Sequence, residues 1–399
     1  MHEQIYVGID WGGYEHQLCA VDGGGRKRRE LRLGHDRAGL ERLEAELASL
    51  GERLPVAVER AEGILVERLL AAGHRVYPVS PRIAARARER YRVAPSKDDV
   101  FDAYVLADTL RHELARWRPL TPASAELAEL RVLVRDRERL LAEQIRVEAQ
   151  LRAILESYHP AAARLFSSID RQITLAFVRR YATPEQAQRI GLARMERFLA
   201  RESYRGRVPA PILLARLRGH LVGAGPGTVA GRRRSALAYC DLLELLNGKL
   251  EEFDRAVAEA LARHPDADLF LSFPGVGGHT AAVLLAEIGE DRQRFPSAAS
   301  LLAEAGLAPV TQSSGRTRRV RFRYAANGHL RRAFMWWAFT SIRLSPWARE
   351  AYEAGRARGL RYHRALRGLA ARWARILWRC WQDGMPYDLA RHLAAQQLA

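Results

Sequence analysis

Four carboxylates stand where apolar runs of this chain end. Asp10 closes Ile5-Tyr6-Val7-Gly8-Ile9, Glu59 closes Val56-Ala57-Val58, and Asp99 with Asp102 heads a helical pattern that opens Lys97-Asp98-Asp99-Val100-Phe101-Asp102-Ala103. Carboxylates placed where strands leave a sheet converge on its carboxyl edge, and hard oxygen ligands gathered there suit Mg²⁺ or Mn²⁺. Asp99 and Asp102 are three apart, so they share one face of a helix. Two such ions, bridged by carboxylates and about 4 Å apart, activate the attacking oxygen and stabilise the leaving oxygen of a phosphodiester. The combination points to a metal-dependent phosphodiester site. Taken singly, each acid reads as a solvated loop residue or a helix cap, and either Asp98 or Asp99 suits the cap of the helix that follows.

A hydroxyl in a cationic setting stands near the other end. The run Leu307-Ala308-Pro309-Val310-Thr311-Gln312-Ser313-Ser314-Gly315-Arg316 is followed by Arg318, Arg319, Arg321 and Arg323. A serine on a Gly-flanked turn is accessible, and surrounding guanidiniums bind the nonbridging oxygens of a phosphate. Ser314 is therefore a candidate nucleophile, although by composition alone Ser-Ser-Gly-Arg is a turn. Upstream, Phe273-Pro274-Gly275-Val276-Gly277 before the helical Thr280 to Ile288 resembles a helix-hairpin-helix turn, whose amides can meet a DNA phosphate. Phosphate contact at Gly275 and Gly277 and an ordinary Gly-rich connector are equal alternatives at this point. The tryptophans at 373, 378 and 381 read as the core of a helix spanning Tyr362 to Trp381 rather than as base-stacking platforms.

The charge balance agrees with a polyanionic partner. The formal net charge is +18 and the pI near 10.5, nearly all of the excess being arginine, with lysine only at positions 27, 97 and 249. From Thr311 to Cys380 seventeen arginines face only Glu350 and Glu353. Such a balance makes nucleic acid the leading partner. Cys19, Cys240 and Cys380 have no metal-ligand or redox spacing and imply no disulfide framework. Neither a signal sequence nor an apolar run of about 18 residues occurs, which reads as a cytoplasmic chain without a membrane segment.

The elements that must position these groups follow from periodicity. Gln4 to Asp10, Gln17 to Asp22 and Arg28 to Leu33 read as a three-strand meander broken by Gly12-Gly13 and Gly23-Gly24-Gly25. Leucines 40, 43, 47 and 50 then follow helical spacing, after which strand 56 to 59, helix 62 to 72, strand 75 to 79, helix 81 to 92 and helix 98 to 115 alternate. This order is that of a ribonuclease-H-like α/β domain, and it ends near Pro119 to Pro122. Two long amphipathic helices follow, Ala123 to about Tyr158 and Ala236 to Arg263, flanking a basic helical segment with the loop Gly223-Ala224-Gly225-Pro226-Gly227. Their apolar stripes pair either with each other or with another protomer. The reading is thus α/β plus α, with an α/β domain over 1–120, a helical, coiled-coil spacer over 121–265 and a mainly helical domain over 266–399.

The ordered motifs carry a resemblance. Gly8-Ile9-Asp10, Val58-Glu59, the run 97–103 with Leu106-Ala107, Pro274-Gly275-Val276-Gly277, Gly306-Leu307-Ala308-Pro309, Ser313-Ser314-Gly315 and Asn327-Gly328-His329-Leu330-Arg331 occur in sequence. Together they resemble the DEDD transposases of insertion-sequence family one-ten, relatives of the Piv invertases, over nearly the whole chain. The resemblance implies a RuvC-like N-terminal domain in which Asp10, Glu59, Asp99 and Asp102 bind divalent metal, Mg²⁺ or Mn²⁺. It also implies a C-terminal transposase domain whose serine before glycine, here Ser314, attacks DNA and forms a phosphoserine link. Asp98 stands where the family commonly has Thr and is a rival to Asp99, and Ser313 is a rival to Ser314. Some members use a structured noncoding RNA, transcribed from the element's own ends, to pair with donor and target DNA. The implied partners are therefore double-stranded DNA, such a bridge RNA, and further copies of the chain in a dimer or tetramer. The implied place of action is the nucleoid.

The resulting expectation is metal-assisted cleavage and rejoining of DNA, with Arg316, Arg318, Arg319, Arg321, Arg323, Gly275 and Gly277 contacting nucleic acid. Because the acids and Ser314 lie more than two hundred residues apart, a site shared between protomers is consistent with it. Three alternatives stand beside it: a RuvC-like junction nuclease using water, an actin-like sugar kinase suggested by Gly8-Ile9-Asp10-Trp11-Gly12-Gly13, and a noncatalytic DNA-binding protein.

Overall fold

The computed structural model describes residues 4–91, 98–315 and 317–397, and the chain divides into two compact units, Met1–Pro122 and Ala123–Ala399. The first is a mixed α/β unit. Its strands are β1 (Tyr6–Trp11), β2 (Glu15–Val21) and β3 (Lys27–Gly34); then, past helix α1 (Arg37–Leu50), come β4 (Pro55–Val58), α2 (Ile64–Ala71), β5 (Arg75–Pro78), α3 (Pro81–Glu89) and α4 (Asp99–Glu113). The sheet order is β3-β2-β1-β4-β5, antiparallel among the first three and parallel from β1 through β4 to β5. Central β1 and β4 are apolar and buried because helices cover both faces, whereas edge strand β3 is charged and exposed. Val7, Ile9, Val56 and Val58 face Leu43 and Leu47 of α1 and Leu65 and Leu69 of α2. Tyr6, Ala57 and Tyr77 face Ala84 of α3 and Ala103, Leu106 and Leu110 of α4.

The contact of α4 with β1 is unusually close. A Cβ at position 8 would lie on the Ala103 carbonyl oxygen and the Ala107 amide nitrogen, and 2.9 Å from Leu106 Cβ. Glycine is therefore the residue that lets the helix backbone lie on the strand.

The second unit is mostly helical. It opens with α5 (Ala125–Tyr158), continues through the short helices α6 (Pro160–Arg164), α7 (Gln172–Arg180), α8 (Pro184–Gln188), α9 (Leu192–Arg201) and α10 (Ala210–Gly219), and returns along α11 (Pro226–Arg263). Helices α5 and α11 pair with each other, antiparallel: Arg137 bridges Asp254 at 2.6 Å, Gln144 donates to Asn247 at 2.6 Å, and Arg263 bridges Glu129 at 2.5 Å. Two departures from the sequence reading have local causes. Helix α11 begins at Pro226 because proline is suited to a first helical position after Gly225, so Pro226-Gly227 belongs to the helix and not to the loop. Ile145, which reads as part of the apolar stripe, is 58% exposed, since a straight helix drifts off a fixed repeat over 34 residues. The far ends of the pair and α6 to α10 share one core, with Leu151, Leu155, Phe177, Phe198, Cys240 and Leu243.

A second core joins the near ends, Leu127, Leu130, Val134, Val257 and Leu261, to the last part of the chain. That part comprises α12 (Ala267–Leu271), α13 (Gly278–Ile288), α14 (Ala298–Glu304), the strands β6 (Val310–Ser314) and β7 (Thr317–Arg321), and the helices α15 (Gly328–Leu344), α16 (Pro346–Ala357), α17 (Tyr362–Asp383) and α18 (Leu389–Gln397). Trp337, Trp373 and Trp381 are fully buried in this core, and Trp378 Nε1 donates to Phe295 O at 2.8 Å. The tryptophans of α17 are thus core residues, as the spacing indicates. Hairpin β6–β7 is the one element foreign to a helical reading of this region, its strands being too short and too polar to show a period.

Substituting Gly8→Ala is expected to destabilise the first unit by about 3 kcal/mol, the upper range for overpacking a tight contact. Gly13→Ala, where nothing lies within 4 Å of the added carbon, should change the urea midpoint little; equal midpoints for the two variants would contradict the packing argument.

Candidate active site

Parallel pairing sets two of the acids side by side. Ile9 lies opposite Val58 in the β1–β4 register, so the next residues, Asp10 near the end of β1 and Glu59 just past β4, stand at one carboxyl edge. Alternation along a strand places Asp10 on the face of Tyr6 and Gly8, and Glu59 on the face of Ala57, which is the face α4 covers. Asp102 sits one turn before Leu106 on that helix and is only 4% exposed. Its Oδ2 accepts a hydrogen bond from Arg88 Nη1 at 2.7 Å, while its Oδ1 is buried with no partner among the described residues. The Asp102 hydrogen bond, and then the charges of Asp102, Glu59 and Asp10, raise the Arg88 pKa against the opposing effect of burial. One guanidinium thus lies in the field of three of the four expected acids.

Asp99 is exposed in the first turn of α4, and Asp98 caps that helix, accepting from Val100 N at 3.2 Å. Lys97 lies outside the described residues. Among the described residues no three acidic, histidine or cysteine side chains are gathered closely enough to hold one ion as they stand; Arg88 sits at the centre of their charge instead. The donor set nevertheless suits a hard cation. Its atoms are all carboxylate oxygens, and a buried carboxylate oxygen without a partner among the described residues is an exception that calls for an ion or water. Arg88 is the residue that sequence reading missed: it is one of several arginines in the segment, and only its position on α3 distinguishes it.

Ser314 ends β6 at the tip of the hairpin. Gly315 follows with φ +53, a left-handed conformation that favours glycine. The register pairs Ser314 with Thr317, Gln312 with Arg319 and Val310 with Arg321, so Ser314 shares a face with Arg319 and Arg321, and Ser313 shares the other with Arg318. Both serines and these arginines are exposed. The Ser314 carbonyl accepts from Thr317 Oγ1 at 3.1 Å, and among the described residues nothing hydrogen-bonds its Oγ. Arg316 lies outside the described residues. Arg323 turns back, Nε donating to Ala308 O at 3.3 Å.

The Gly-rich turn before α13 has two different glycines. Gly275, with φ +84, lies against α15, where an added Cβ would be 2.8 Å from Ser341 N; Trp337 Nε1 donates to Pro274 O at 3.0 Å and Thr340 Oγ1 to Gly275 O at 2.8 Å. Gly275 therefore has a packing role. Gly277 is the exposed N-cap of α13, with open space around it.

A buried ion pair orients the segment after the hairpin. Glu287 receives Arg135 Nε at 2.9 Å and Nη2 at 3.1 Å, and Asn327 Nδ2 at 2.6 Å. Asn327 in turn caps α15, its Oδ1 accepting from Leu330 N at 3.1 Å. His329 and Arg332 both reach Glu138. Arg331 donates to Arg323 O at 2.8 Å. The run Asn327 to Arg332 thereby ties the base of the hairpin to α5 and α13.

The relatives of this chain fit that division of parts. A family model for DEDD transposases of IS110 type, described as Transposase, matches residues 7–160, and one described as Transposase IS116/IS110/IS902 family matches residues 267–353. A mini-circle putative transposase for IS117 from Streptomyces coelicolor is 34% identical over 98% of this chain and 97% of its own length. The chain belongs to the IS110 family of transposases. Two further relatives are 30% identical over 99% of this chain: the uncharacterized 42 kDa protein of insertion element IS900 from Mycobacterium paratuberculosis, matched over 100% of its length, and the uncharacterized 43.6 kDa protein of IS110 from Streptomyces coelicolor, over 98%. In this transposase the first matched region contains Asp10, Glu59, Asp99 and Asp102, and the second contains Ser314 and the Asn327 to Arg332 run. The family typically implies a divalent metal and a DNA substrate. No described helix is long and apolar enough to cross a membrane.

Burial alone would raise the Glu287 pKa, but the Arg135 and Asn327 hydrogen bonds outweigh it and hold the group below its ordinary 4.5. A depressed folded pKa stabilises fully above the unfolded value and is lost as pH falls through the folded one. Glu287→Gln should therefore cost about 3 kcal/mol at pH 7, as for a broken buried pair, and the gap to wild type should narrow below pH 4.5. Urea unfolding at pH 7 and at pH 3 measures both.

Proposed function

We propose that this transposase is a recombinase that cuts and rejoins DNA through a covalent serine–DNA link. Asp10, Glu59, Asp99 and Asp102 hold Mg²⁺ or Mn²⁺ in a RuvC-like, ribonuclease-H-like domain over 1–120; a coiled-coil spacer over 121–265 joins it to the serine domain over 266–399. The sheet order with its antiparallel meander and parallel β4 and β5 supports the fold assignment. The observation that carries the chemistry is Ser314, exposed at the tip of a hairpin whose same face bears Arg319 and Arg321.

In this mechanism Ser314 Oγ attacks phosphorus. An Oγ–P bond forms as the bond from phosphorus to a deoxyribose oxygen breaks; the serine proton passes to a base and the released oxygen takes one up. Arg319 and Arg321 donate to the nonbridging oxygens as charge develops there. The bound cation would withdraw charge from the same phosphate and favour departure of the leaving oxygen. Attack by a second deoxyribose hydroxyl on the serine-linked phosphorus restores Ser314 and joins the new strand, so the phosphodiester energy is conserved. Strand exchange of this kind calls for several protomers in one synapse, a dimer or tetramer. A bridge RNA pairing with donor and target would read sequence and leave the protein chiefly backbone and shape contacts. A second reading, a junction nuclease using water, draws on the charges of Asp10, Glu59 and Asp102 that act on Arg88, which involve no serine.

Ser314→Ala should abolish the protein–DNA adduct seen on denaturing gels, and Asp10→Asn should lower strand cleavage by about 10³-fold, as expected for a unit of the catalytic set. An adduct that persists in Ser314→Ala overturns the nucleophile, and cleavage without any adduct in wild type selects the nuclease. Sequencing nucleic acid that copurifies with the chain should return one discrete noncoding RNA; a random cellular mixture counts against the bridge-RNA part.

A further inference from the structure

Several arginines of this chain are neutralised within it. Arg29, Arg68, Arg135, Arg137 and Arg292 each hold a carboxylate bidentately or at close range. The groove between the base of β6–β7 and the first turns of α17 is different. It encloses about 580 Å³ and is walled by Arg321 and Arg323 on one side and by Arg361, Arg364 and Arg367 on the other, with no carboxylate among the described residues that line it. Among the described residues none of these five arginines has an acidic partner. Burial, with the charges of Arg331 and Arg364, lowers the Arg367 pKa, the effect of cations crowded together without counter-charge. The guanidiniums of Arg331 and Arg367 both lie over the Phe322 ring, 4.7 and 4.4 Å from its centre, which helps hold the wall in place.

The groove does not end there. His363 lines it and also lines a neighbouring hollow of about 640 Å³ on α15, α13 and α17. That hollow is apolar and aromatic: Trp336 is 59%, Phe339 43% and Tyr362 41% exposed, and the Trp336 and Phe339 rings lie 5.6 Å apart. Its one acid, Glu138, is already held by His329 and Arg332. A row of unneutralised guanidiniums running into a cup of exposed rings matches one kind of polymer, with anionic links and flat apolar faces. In a duplex those faces are stacked away, so the cup can be reached only by a base that is not paired.

We propose that this groove and hollow form a binding site for an unpaired stretch of nucleic acid, with its phosphates along Arg361, Arg364 and Arg367 and a base stacked on Trp336 beside Phe339. The proposal rests on the recombinase reading for its biological setting, but the site itself concerns binding and not chemistry. Unpaired segments arise where strands are parted during exchange and in the loops of a structured RNA; both offer the same phosphodiester and base chemistry.

The test uses the full-length chain and fluorescence-anisotropy titration of labelled oligonucleotides of one sequence, as single-stranded DNA, single-stranded RNA and duplex DNA. Trp336→Ala should weaken single-strand binding by about tenfold, within the range of one lost stacking contact, while duplex binding is unchanged; Trp336→Phe should restore most of it. Arg361→Gln with Arg364→Gln should weaken single-strand binding and lower its salt dependence by about two counterions. The polymer more strongly affected identifies whether DNA or RNA occupies the site. Equal loss on duplex and single strand, or no loss on either, overturns the proposal, as does a change of oligomeric state in Trp336→Ala by ultracentrifugation, which would make the aromatic cup a protein interface. Loss of the adduct in Ser314→Ala is scored separately, so the recombinase reading stands or falls without this result.

Discussion

The backbone of α4 lies directly on β1, and this contact governs the first unit. With no side chain at position 8, the helix approaches until Ala103 and Ala107 meet the strand. Asp102 is carried with it to the end of the sheet from which Asp10 and Glu59 emerge. Any residue larger than glycine would move the helix outward and carry Asp102 away from that edge. Burying Asp102 at that position is costly unless a cation faces it. Arg88 meets that need in the structure, and its raised pKa reflects the opposite charges around it. Packing thus buries Asp102 towards the sheet end that bears Asp10 and Glu59, and electrostatics then requires positive charge beside it.

The second unit handles charge differently. Its buried pair, Glu287 with Arg135, is fully engaged, with Asn327 taking a further position on the carboxylate. That pair sits where α5, α13 and the cap of α15 meet, so it orients the hairpin without lying in it. Around the hairpin and the start of α17, by contrast, guanidiniums stand without acids. Such an arrangement raises the free energy of the isolated protein and is relieved by an anionic ligand. The excess charge visible in the composition is therefore concentrated in one region rather than spread over the surface.

The central strands of the first unit were legible because each is a short apolar run closed by a turn residue, its helices because their apolar residues recur at helical spacing, and the ends of the apolar runs mark Asp10 and Glu59. Asp98 and Asp99 were harder to separate: adjacent acids at a helix start satisfy the same capping rule, and only the structure assigns the cap to Asp98. Arg88 was illegible because Arg82, Arg86, Arg88 and Arg90 form one uniform basic stretch. Hairpin β6–β7 escaped notice for another reason. Its strands are exposed on both faces and show no hydrophobic alternation, so their pairing is stabilised by register and by the Gly315 turn rather than by a buried side.

By itself the sequence determined the element types of the α/β unit, the two long helices, the basic character of the last hundred residues and the ordered motifs that carry family membership. Those properties are local, or are sums over composition, and a linear pattern holds them. Tertiary structure alone decided that α5 and α11 pair within the chain, that Asp102 rather than Asp99 is buried beside Arg88, that Ser314 shares its hairpin face with Arg319 and Arg321, and that α17 supplies the far wall of the arginine groove. Each of these depends on the register of one segment against another distant in sequence. Register is set by how side chains interlock across the interface, a property of pairs that no single stretch records.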